Sequence, residues 1–180
     1  ACGDELCALV FRHLEPLSEA DLDKLRDFAR TSNIAVLLQA KGPDSIICLE
    51  PDSLELSFQL PHFGVEIFFE PSDFVQVNAA MNQSMISRAI ELLDPSPGDR
   101  ILDLFCGLGN FTLPIAGLAA EVVGIEGDVS LVRRAESNAV RNQVDNAFFH
   151  AADLNEDASA APWLRKPYDK VLEDPPRSGA

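Results

Sequence analysis

Two glycines separated by one residue mark the segment of this sequence most suited to chemistry. Gly107 and Gly109 follow Arg100–Phe105, which predicts a buried strand, and precede Asn110–Leu118, which predicts a helix. Gly107 permits a tight turn, and Gly109 lets a ligand approach the backbone without meeting a Cβ atom. The N-terminus of the following helix favours a negatively charged group. The segment therefore predicts a loop that binds a cofactor through one of its anionic groups.

Two features distinguish between the adenosine cofactors that such a loop binds. A dinucleotide-binding loop has a third glycine, but Thr112 occupies that position. Glu126 ends the next predicted strand, where a carboxylate can accept both ribose hydroxyls, which NAD and S-adenosylmethionine (SAM) share. The missing glycine and the Asp103-x-Phe105-x-Gly107 pattern favour SAM. The alternative is a loop whose glycines only turn the chain.

A second motif, Asp174-Pro175-Pro176-Arg177, follows a later predicted strand. Ligands of doubly wound sheets bind outside the carboxyl ends of the strands, and a prolyl pair fixes φ and holds a rigid loop there. In enzymes that methylate exocyclic amines the comparable loop usually ends in an aromatic residue, whereas Arg177 occupies that position here. The motif therefore argues against amine methylation, with a plain Pro-Pro turn as the alternative.

These motifs require a sheet whose strands end at one edge, and residues 73–180 predict one. Helix and strand patterns alternate there, beginning with an amphipathic helix whose apolar stripe is Met81, Met85, Ile86, Ala89, Ile90 and Leu93. The predicted strands after it are Arg100–Phe105, Glu121–Ile125, Ala147–His150 and Lys170–Leu172, with helices at Asn110–Leu118 and Asp128–Asn142. This order predicts an α/β, Rossmann-like SAM-dependent methyltransferase sheet. Because doubly wound sheets continue past a fourth strand, we expect the sheet to be C-terminally truncated.

Residues 1–72 predict a small α+β domain that precedes the sheet. The predicted strands are Leu6–Arg12, Ile34–Leu38, Ile46–Leu49 and Leu54–Leu60. Ser18 predicts the N-cap of a helix whose buried face is Leu22, Leu25, Phe28 and Ala29. Nothing in this domain has the pattern of an active site.

The composition limits the class of protein. The chain has 180 residues, of which 47% are hydrophobic and 24% charged, as in globular domains. It contains no run of about 18 apolar residues, so no membrane span is predicted. The acidic N-terminus lacks the features of a signal peptide, so we expect a cytoplasmic protein. The net charge of −15 repels nucleic acid over most of the surface.

The four cysteines are Cys2, Cys7, Cys48 and Cys106. None forms a C-x-x-C pair, so neither a zinc site nor a thioredoxin-like site is predicted. Their scatter in a chain without a secretory signal predicts reduced thiols. No metal is expected in these 180 residues.

Together the motifs resemble a known family. Gln76-Val77-Asn78, Leu102–Thr112 and Asp174–Arg177 are similar to the RNA 5-methyluridine (uracil-C5) methyltransferases, most of all the bacterial type that acts on 23S rRNA. The resemblance covers nearly the whole chain, including Phe11-Arg12-His13. It implies methyl transfer from SAM to C5 of a uridine in RNA, an rRNA substrate for the full-length protein and a monomeric state.

The resemblance also implies the residues that bind SAM. With the two loop glycines included, the predicted site consists of Gln76, Phe105, Gly107, Gly109, Asn110, Glu126, Asp153 and Asp174.

The side chains at these positions suit different parts of the cofactor. Gln76 and Asn110 would offer amide hydrogen bonds to the methionine end or the ribose, and Phe105 would pack against the ligand. Asp153 would accept from the adenine amine, and Asp174 would lie near the transferring methyl group. The alternatives are a helix-entry residue for Gln76 and a helix N-cap for Asp153.

No catalytic residue is expected in this sequence. In the family a cysteine thiolate adds to C6 of uracil and makes C5 nucleophilic, and a glutamate base removes the C5 proton. That cysteine follows a later strand and the glutamate lies further on, so both are expected beyond Ala180. Cys106 lies in the cofactor loop, where we predict a small packed thiol.

Larger members of the family carry a 4Fe-4S cluster on cysteines of an upstream segment, so the resemblance allows such a cluster in the full-length protein only. Cys2 and Cys7 do not match that clustered pattern. A basic RNA-binding module upstream would account for the acidic balance of this chain. Residues 1–72 are expected to position RNA or pack the core, without contacting SAM. The alternatives are a SAM-dependent methyltransferase of another substrate and a non-catalytic SAM-binding module.

Overall fold

A computed structural model of the chain describes residues 1–154, 156 and 161–175. Its internal contacts divide the chain into two compact units. The first unit comprises Ala1–Phe58 and Phe68–Val75, and the second comprises Gln59–Ile67 and Gln76–Ala180. The boundary predicted at residue 72 lies close to Gln76, where the chain enters the second unit for the last time. The sequence did not predict that residues 59–67 also belong to the second unit.

The first unit is built on a three-stranded sheet with one helix. Strands β1 (Cys7–Arg12), β2 (Ile34–Gln39) and β3 (Ile46–Glu50) lie in the order β1-β2-β3, and helix α1 spans Glu19–Ser32. β1 pairs with β2 in parallel, and β2 pairs with β3 in antiparallel orientation. A short 3₁₀ turn at Pro43–Ser45 precedes β3.

Helix α1 begins where the sequence predicts. The Ser18 side chain accepts from the backbone amide of Asp21, and the Asp21 side chain accepts from the backbone amide of Ser18, which completes a capping box. The helix ends at Asn33, a left-handed C-cap. Of the predicted buried face, Ala29 is buried but Phe28 is 41% exposed.

The two cysteines nearest the N-terminus form a disulfide bond, so the prediction of reduced thiols is wrong for Cys2 and Cys7. The chain reverses between them, because Gly3 donates its backbone N–H to Leu6, and an isolated antiparallel bridge pairs the two cysteines. Spacing along the sequence does not reveal such a reversal. Cys48 and Cys106 are free thiols.

A two-stranded sheet divides its residues between the units. It consists of β4 (Leu56–Leu60) and β5 (Val65–Phe69), joined by a 3₁₀ turn at Pro61–Phe63. Gly64 lies in the left-handed region with φ of 63°, which favours glycine. The alternation predicted for β4 is confirmed at Leu56 and Leu60, which are buried. β5 was not predicted, although Val65, Ile67 and Phe69 are buried in strict alternation.

The second unit contains the predicted parallel sheet. Its elements are α2 (Ala79–Leu93), β6 (Arg100–Leu104), α3 (Thr112–Ala116), β7 (Glu121–Glu126), α4 (Val129–Arg141), β8 (Ala147–Ala151) and β9 (Lys170–Glu173), with a 3₁₀ turn at Pro162–Arg165. The strand order is β8-β7-β6-β9, and every pair is parallel. The α/β prediction is therefore confirmed.

Two details of the predicted helices are wrong. Helix α3 is shorter than Asn110–Leu118, because the turn that contains both loop glycines extends to residue 110 and Gly117 follows its last residue. In α2, Met81 lies outside the buried stripe with 63% exposure, whereas Asn82 is buried at 2%. An apolar pattern cannot identify a buried position that is occupied by a polar residue.

Apolar side chains from neighbouring strands cover one face of the sheet. Leu102 of β6 and Val123 and Ile125 of β7 form a cluster with Trp163, and Tyr168 packs against it. Tyr168 donates its hydroxyl hydrogen to the backbone oxygen of Trp163 at 2.7 Å. Within the described ranges, no helix has the length and apolar character needed to cross a bilayer.

Candidate functional site

The strand ends of the parallel sheet share one edge. Leu104 at the end of β6 is in register with Ile125 of β7 and with Glu173 of β9, and Glu126 is in register with Ala151 of β8. The predicted residues Phe105, Glu126, Asp153 and Asp174 therefore lie at this edge or directly after it, as the sequence predicts from parallel strands.

The loop after β6 has an unusual backbone. Phe105, Gly107 and Gly109 have φ values of 63°, 53° and 88°. Left-handed backbone costs a glycine little but strains a bulky residue such as Phe105, and such strain is concentrated at functional sites. The loop is fixed to the sheet because Cys106 donates its backbone N–H to Ile125 at 3.0 Å. The sequence pattern gives no signal for the strained Phe105.

The Glu126 carboxylate is held by two backbone amides. Its Oε2 atom accepts from the N–H of Gly107, and its Oε1 atom accepts from the N–H of Asp128, each at 3.0 Å. Each carboxylate oxygen retains a lone pair for a further donor. The carboxylate thus has a fixed orientation beside the loop and can accept from two neighbouring hydroxyl groups.

Asp103, the first residue of the Asp103-x-Phe105-x-Gly107 pattern, is a buried acid. It is 1% exposed, and the Thr112 hydroxyl donates to its Oδ2 atom at 2.5 Å. The pKa of Asp103 is raised to about 7, chiefly by burial; the hydrogen bond from Thr112 lowers it, and the negative charges of Asp174 and Glu126 add smaller increases. Thr112, which replaces the third glycine of a dinucleotide loop, therefore serves as the partner of this acid.

Cys106 has the surroundings of a packed thiol. It is buried, and its Sγ atom lies where a Cβ atom on Gly124 would come within 2.8 Å of it. Burial, with the charges of Asp103 and Glu126, strongly raises the pKa of the Cys106 thiol. A nucleophilic cysteine needs the thiolate, so this environment opposes that role.

We expect Gly124→Ala to lower the free energy of unfolding by about 1–2 kcal/mol, because the added methyl group overpacks the core. The new Cβ atom would also approach Cδ1 of Phe149 to 2.8 Å. The measurement is chemical denaturation, with Gly98→Ala as control, since a Cβ atom at Gly98 has nothing within 4 Å. Equal stabilities of the two variants would contradict the close packing.

Asn110, the last loop residue before Phe111 and α3, pairs with Asn82 of α2. The Nδ2 of Asn82 donates to the Oδ1 of Asn110 at 3.0 Å, and the Nδ2 of Asn110 donates to the Oδ1 of Asn82 at 2.9 Å. Asn110 is half-buried, and each of the two amides keeps one N–H and one lone pair beyond these bonds. Sequence reasoning did not identify Asn82, and only its polar character within an apolar stripe could have signalled it.

The remaining predicted residues are on the surface. Gln76 precedes α2 and is exposed, and Asp153 and Asp174 follow β8 and β9 and are also exposed. The backbone N–H of Glu156 donates to the carbonyl of Asp153 at 3.1 Å. The last two residues of the predicted Asp174-Pro175-Pro176-Arg177 motif lie outside the described residues.

A surface cavity of about 490 Å³ lies along β8 and includes Val123, Phe148 and Trp163 in its lining. None of the predicted site residues lines it. The chemistry of the strand ends, and not cavity size, therefore locates the candidate site.

Comparison with known proteins identifies the family. The model of the tRNA (uracil-5-)-methyltransferase family matches residues 3–180. The chain belongs to this family. The family prediction made from the sequence motifs is thus confirmed.

Among members of this family, the chain is 56% identical over 178 residues to a 23S rRNA (uracil(1939)-C(5))-methyltransferase RlmD of Xanthomonas euvesicatoria. It is 52% identical over 178 residues to the RlmD of Xylella fastidiosa strain Temecula1. Each match covers 99% of this chain but 40% of the relative, so the chain spans less than half the length of these methyltransferases.

Solved structures share the fold. The Pyrococcus abyssi tRNA (uracil-54, C5)-methyltransferase in complex with S-adenosyl-L-homocysteine has a TM-score of 0.68 at 22% identity, covering 99% of this chain and 43% of that one. Pyrococcus horikoshii TYW2 in complex with MeSAdo has a TM-score of 0.55 at 21% identity, covering 86% and 55%. The Rossmann-like methyltransferase fold predicted for the second unit is confirmed.

Proposed function

We propose that the protein containing this chain transfers a methyl group from SAM to C5 of a uridine in RNA, with 23S rRNA as its substrate. The observation that carries the proposal is the pair of backbone hydrogen bonds that orient the Glu126 carboxylate beside the Gly107 turn. The relatives named for 23S rRNA methylation support the choice of substrate. An rRNA-modifying enzyme of this kind acts in the cytoplasm.

The site is proposed to bind SAM through groups at four strand ends and at the start of α2. Glu126 accepts from the ribose hydroxyls, and Asp153 accepts from the adenine amine. The loop that contains Gly107 and Gly109 provides the close backbone approach and is flanked by Phe105. Gln76 and Asn110 bind the methionine end, and Asp174 lies near the methyl group. When bound, SAM supplies an electrophilic methyl group on a sulfonium ion.

The residues of this chain are proposed to bind and orient the methyl donor, not to activate uracil. Uracil C5 becomes a good nucleophile only after a thiolate adds to C6. Cys2 and Cys7 are bonded to each other, and burial raises the pKa of both free thiols, Cys48 and Cys106. We therefore expect the 180-residue chain to bind SAM without methylating RNA.

A SAM-dependent methyltransferase of another substrate and a non-catalytic SAM-binding module remain the rival functions. Calorimetric titration of the chain with SAM and with NAD tests the cofactor. Tight binding of NAD without binding of SAM would overturn the proposal.

The substrate is tested in a chimera of the Xanthomonas euvesicatoria relative in which this chain replaces the matching 178 residues. We expect the chimera to incorporate tritium from labelled SAM into C5 of a uridine in unmodified 23S rRNA, and not into tRNA. A folded chimera that binds SAM but methylates neither RNA would favour a binding module, and methylation of another base would favour a different methyltransferase.

Cys106→Ser is expected to leave methylation by this chimera within about twofold, because the thiol packs in the loop and contributes no nucleophile. The rate of tritium incorporation and the thermal unfolding midpoint are measured together. A folded variant without activity would show that Cys106 is the nucleophile after all.

A further inference from the structure

The start of helix α2 is linked to the loop after β6 by two side-chain amides. Asn82 lies in the first turn of α2 and is 2% exposed. Its amide and that of Asn110 exchange two hydrogen bonds, at 3.0 and 2.9 Å, across 28 positions of the sequence. The pair lies within the second unit, where α3 follows the loop directly.

A reciprocal amide pair fixes orientation as well as position. When an asparagine side chain turns over, its oxygen and its NH₂ group exchange places. A single hydrogen bond therefore does not fix which of the two groups the side chain presents to a further partner. In the reciprocal pair each oxygen accepts and each NH₂ group donates, so turning over either amide breaks both bonds. Asn110 therefore presents its remaining N–H and its remaining lone pair in one fixed direction.

The position of Asn82 argues against a purely structural origin. It occupies the buried stripe of α2 beside Ile86, where an apolar side chain would pack at lower cost than a polar one. Asparagine is also a weak helix former. The segment before it is similarly ordered, because the Asn78 side chain accepts from the backbone N–H of Met81 at 3.0 Å and so caps the helix. Gln76 lies two residues before this cap.

We propose that Asn82 is a positioning residue of the cofactor site: it sets the direction in which Asn110 presents its amide to the methionine end of SAM. The inference rests on the proposed function, since it assigns Asn82 to the same site. The start of α2 then contributes to the site twice, through Gln76 before the cap and through Asn82 after it. A change in α2 would be transmitted to the loop through one pair of hydrogen bonds.

The experiment is a double-mutant cycle on the 180-residue chain, with the SAM dissociation constant and the thermal midpoint measured for each variant. We expect Asn82→Ala and Asn110→Ala each to weaken SAM binding about tenfold. The double variant should also be weaker by about tenfold, instead of the roughly hundredfold loss expected for independent sites. Such non-additivity is the readout that a merely structural role would not produce.

The matched control is Asn146→Ala. Asn146 is half-buried and donates to the backbone oxygens of Ala116, the last residue of α3, and Ala119, so its loss should lower the thermal midpoint and leave SAM affinity unchanged. If Asn82→Ala does not fold, the side-chain amide resonances of the original chain decide: addition of SAM should shift those of Asn82 together with those of Asn110.

The outcomes distinguish the positioning role of Asn82 from the proposed cofactor. Two results would contradict the positioning role alone: a folded Asn82→Ala variant that binds SAM as well as the original chain, or additive losses of SAM affinity in the cycle. Resonances of Asn82 that stay in place while those of Asn110 shift contradict it equally. Failure of the original chain to bind SAM contradicts the proposed cofactor, and the positioning role with it.

Discussion

Asp103→Asn is expected to abolish a fall of about 4 kcal/mol in the free energy of unfolding that the original chain undergoes between pH 4 and pH 7. The folded chain has a pKa of about 7 at Asp103, above the ordinary value of 3.8, chiefly because the carboxyl group is buried. Between these values the folded state holds a proton that the unfolded state releases. The contribution of Asp103 to stability is therefore fully present below about pH 4 and is lost as the pH rises through about 7.

Urea denaturation of the original chain and of Asp103→Asn, at several pH values from 4 to 8, tests this expectation. The asparagine oxygen still accepts from Thr112 and is neutral throughout, so the difference between the two curves isolates the ionisation of Asp103. Asp145→Asn, which removes a carboxyl group at an exposed position after α4, serves as the control substitution. Parallel curves for the original chain and Asp103→Asn would contradict a raised pKa at Asp103.

Glu126→Ala is expected to weaken SAM binding by about 1.5–3 kcal/mol, since it removes a charged acceptor for two ribose hydroxyls. The loss corresponds to roughly 10- to 150-fold in the dissociation constant. Glu126→Gln should lose less, because it keeps one acceptor oxygen. The measurement is calorimetric titration, with thermal unfolding to show that each variant is folded.

Glu136→Ala provides the matched control for this titration, because Glu136 is an exposed glutamate on α4. Its removal should leave SAM affinity unchanged. Unchanged affinity in folded Glu126→Ala would refute Glu126 as the ribose ligand, whatever the behaviour of the control.

The architecture around the site could be predicted because it depends on local patterns. Alternation of strands and helices requires parallel pairing, and parallel pairing places the ends of β6 and β7 at one edge. Phe105 and Glu126 could therefore be brought together from their places in the sequence alone. The Gly-x-Gly turn could also be predicted, because its left-handed backbone favours glycine at positions 107 and 109.

What the sequence could not predict depends on pairs of residues distant in sequence or on chain reversals. The Asn82–Asn110 pair and the burial of Asp103 against Thr112 arise only when the helices pack on the sheet. The Cys2–Cys7 bond arises from a reversal that no apolar periodicity marks. β5 was not predicted, although Val65, Ile67 and Phe69 alternate regularly with less buried residues.

The division of the chain also bears on modularity. The backbone passes between the two units three times, after residues 58, 67 and 75, so no single break in the gene separates them. A chain begun at residue 76 would lack segment 59–67, in which Glu66 exchanges two hydrogen bonds with Asn142 at the end of α4. The backbone N–H of Glu66 donates to the side-chain oxygen of Asn142 at 2.8 Å, and the Nδ2 of Asn142 donates to the Glu66 carbonyl at 2.7 Å. Removing the first unit by truncation would thus leave the C-cap of α4 without these partners. Recombination between relatives should therefore exchange the two units together, and segment 59–67 should be inherited with both of them.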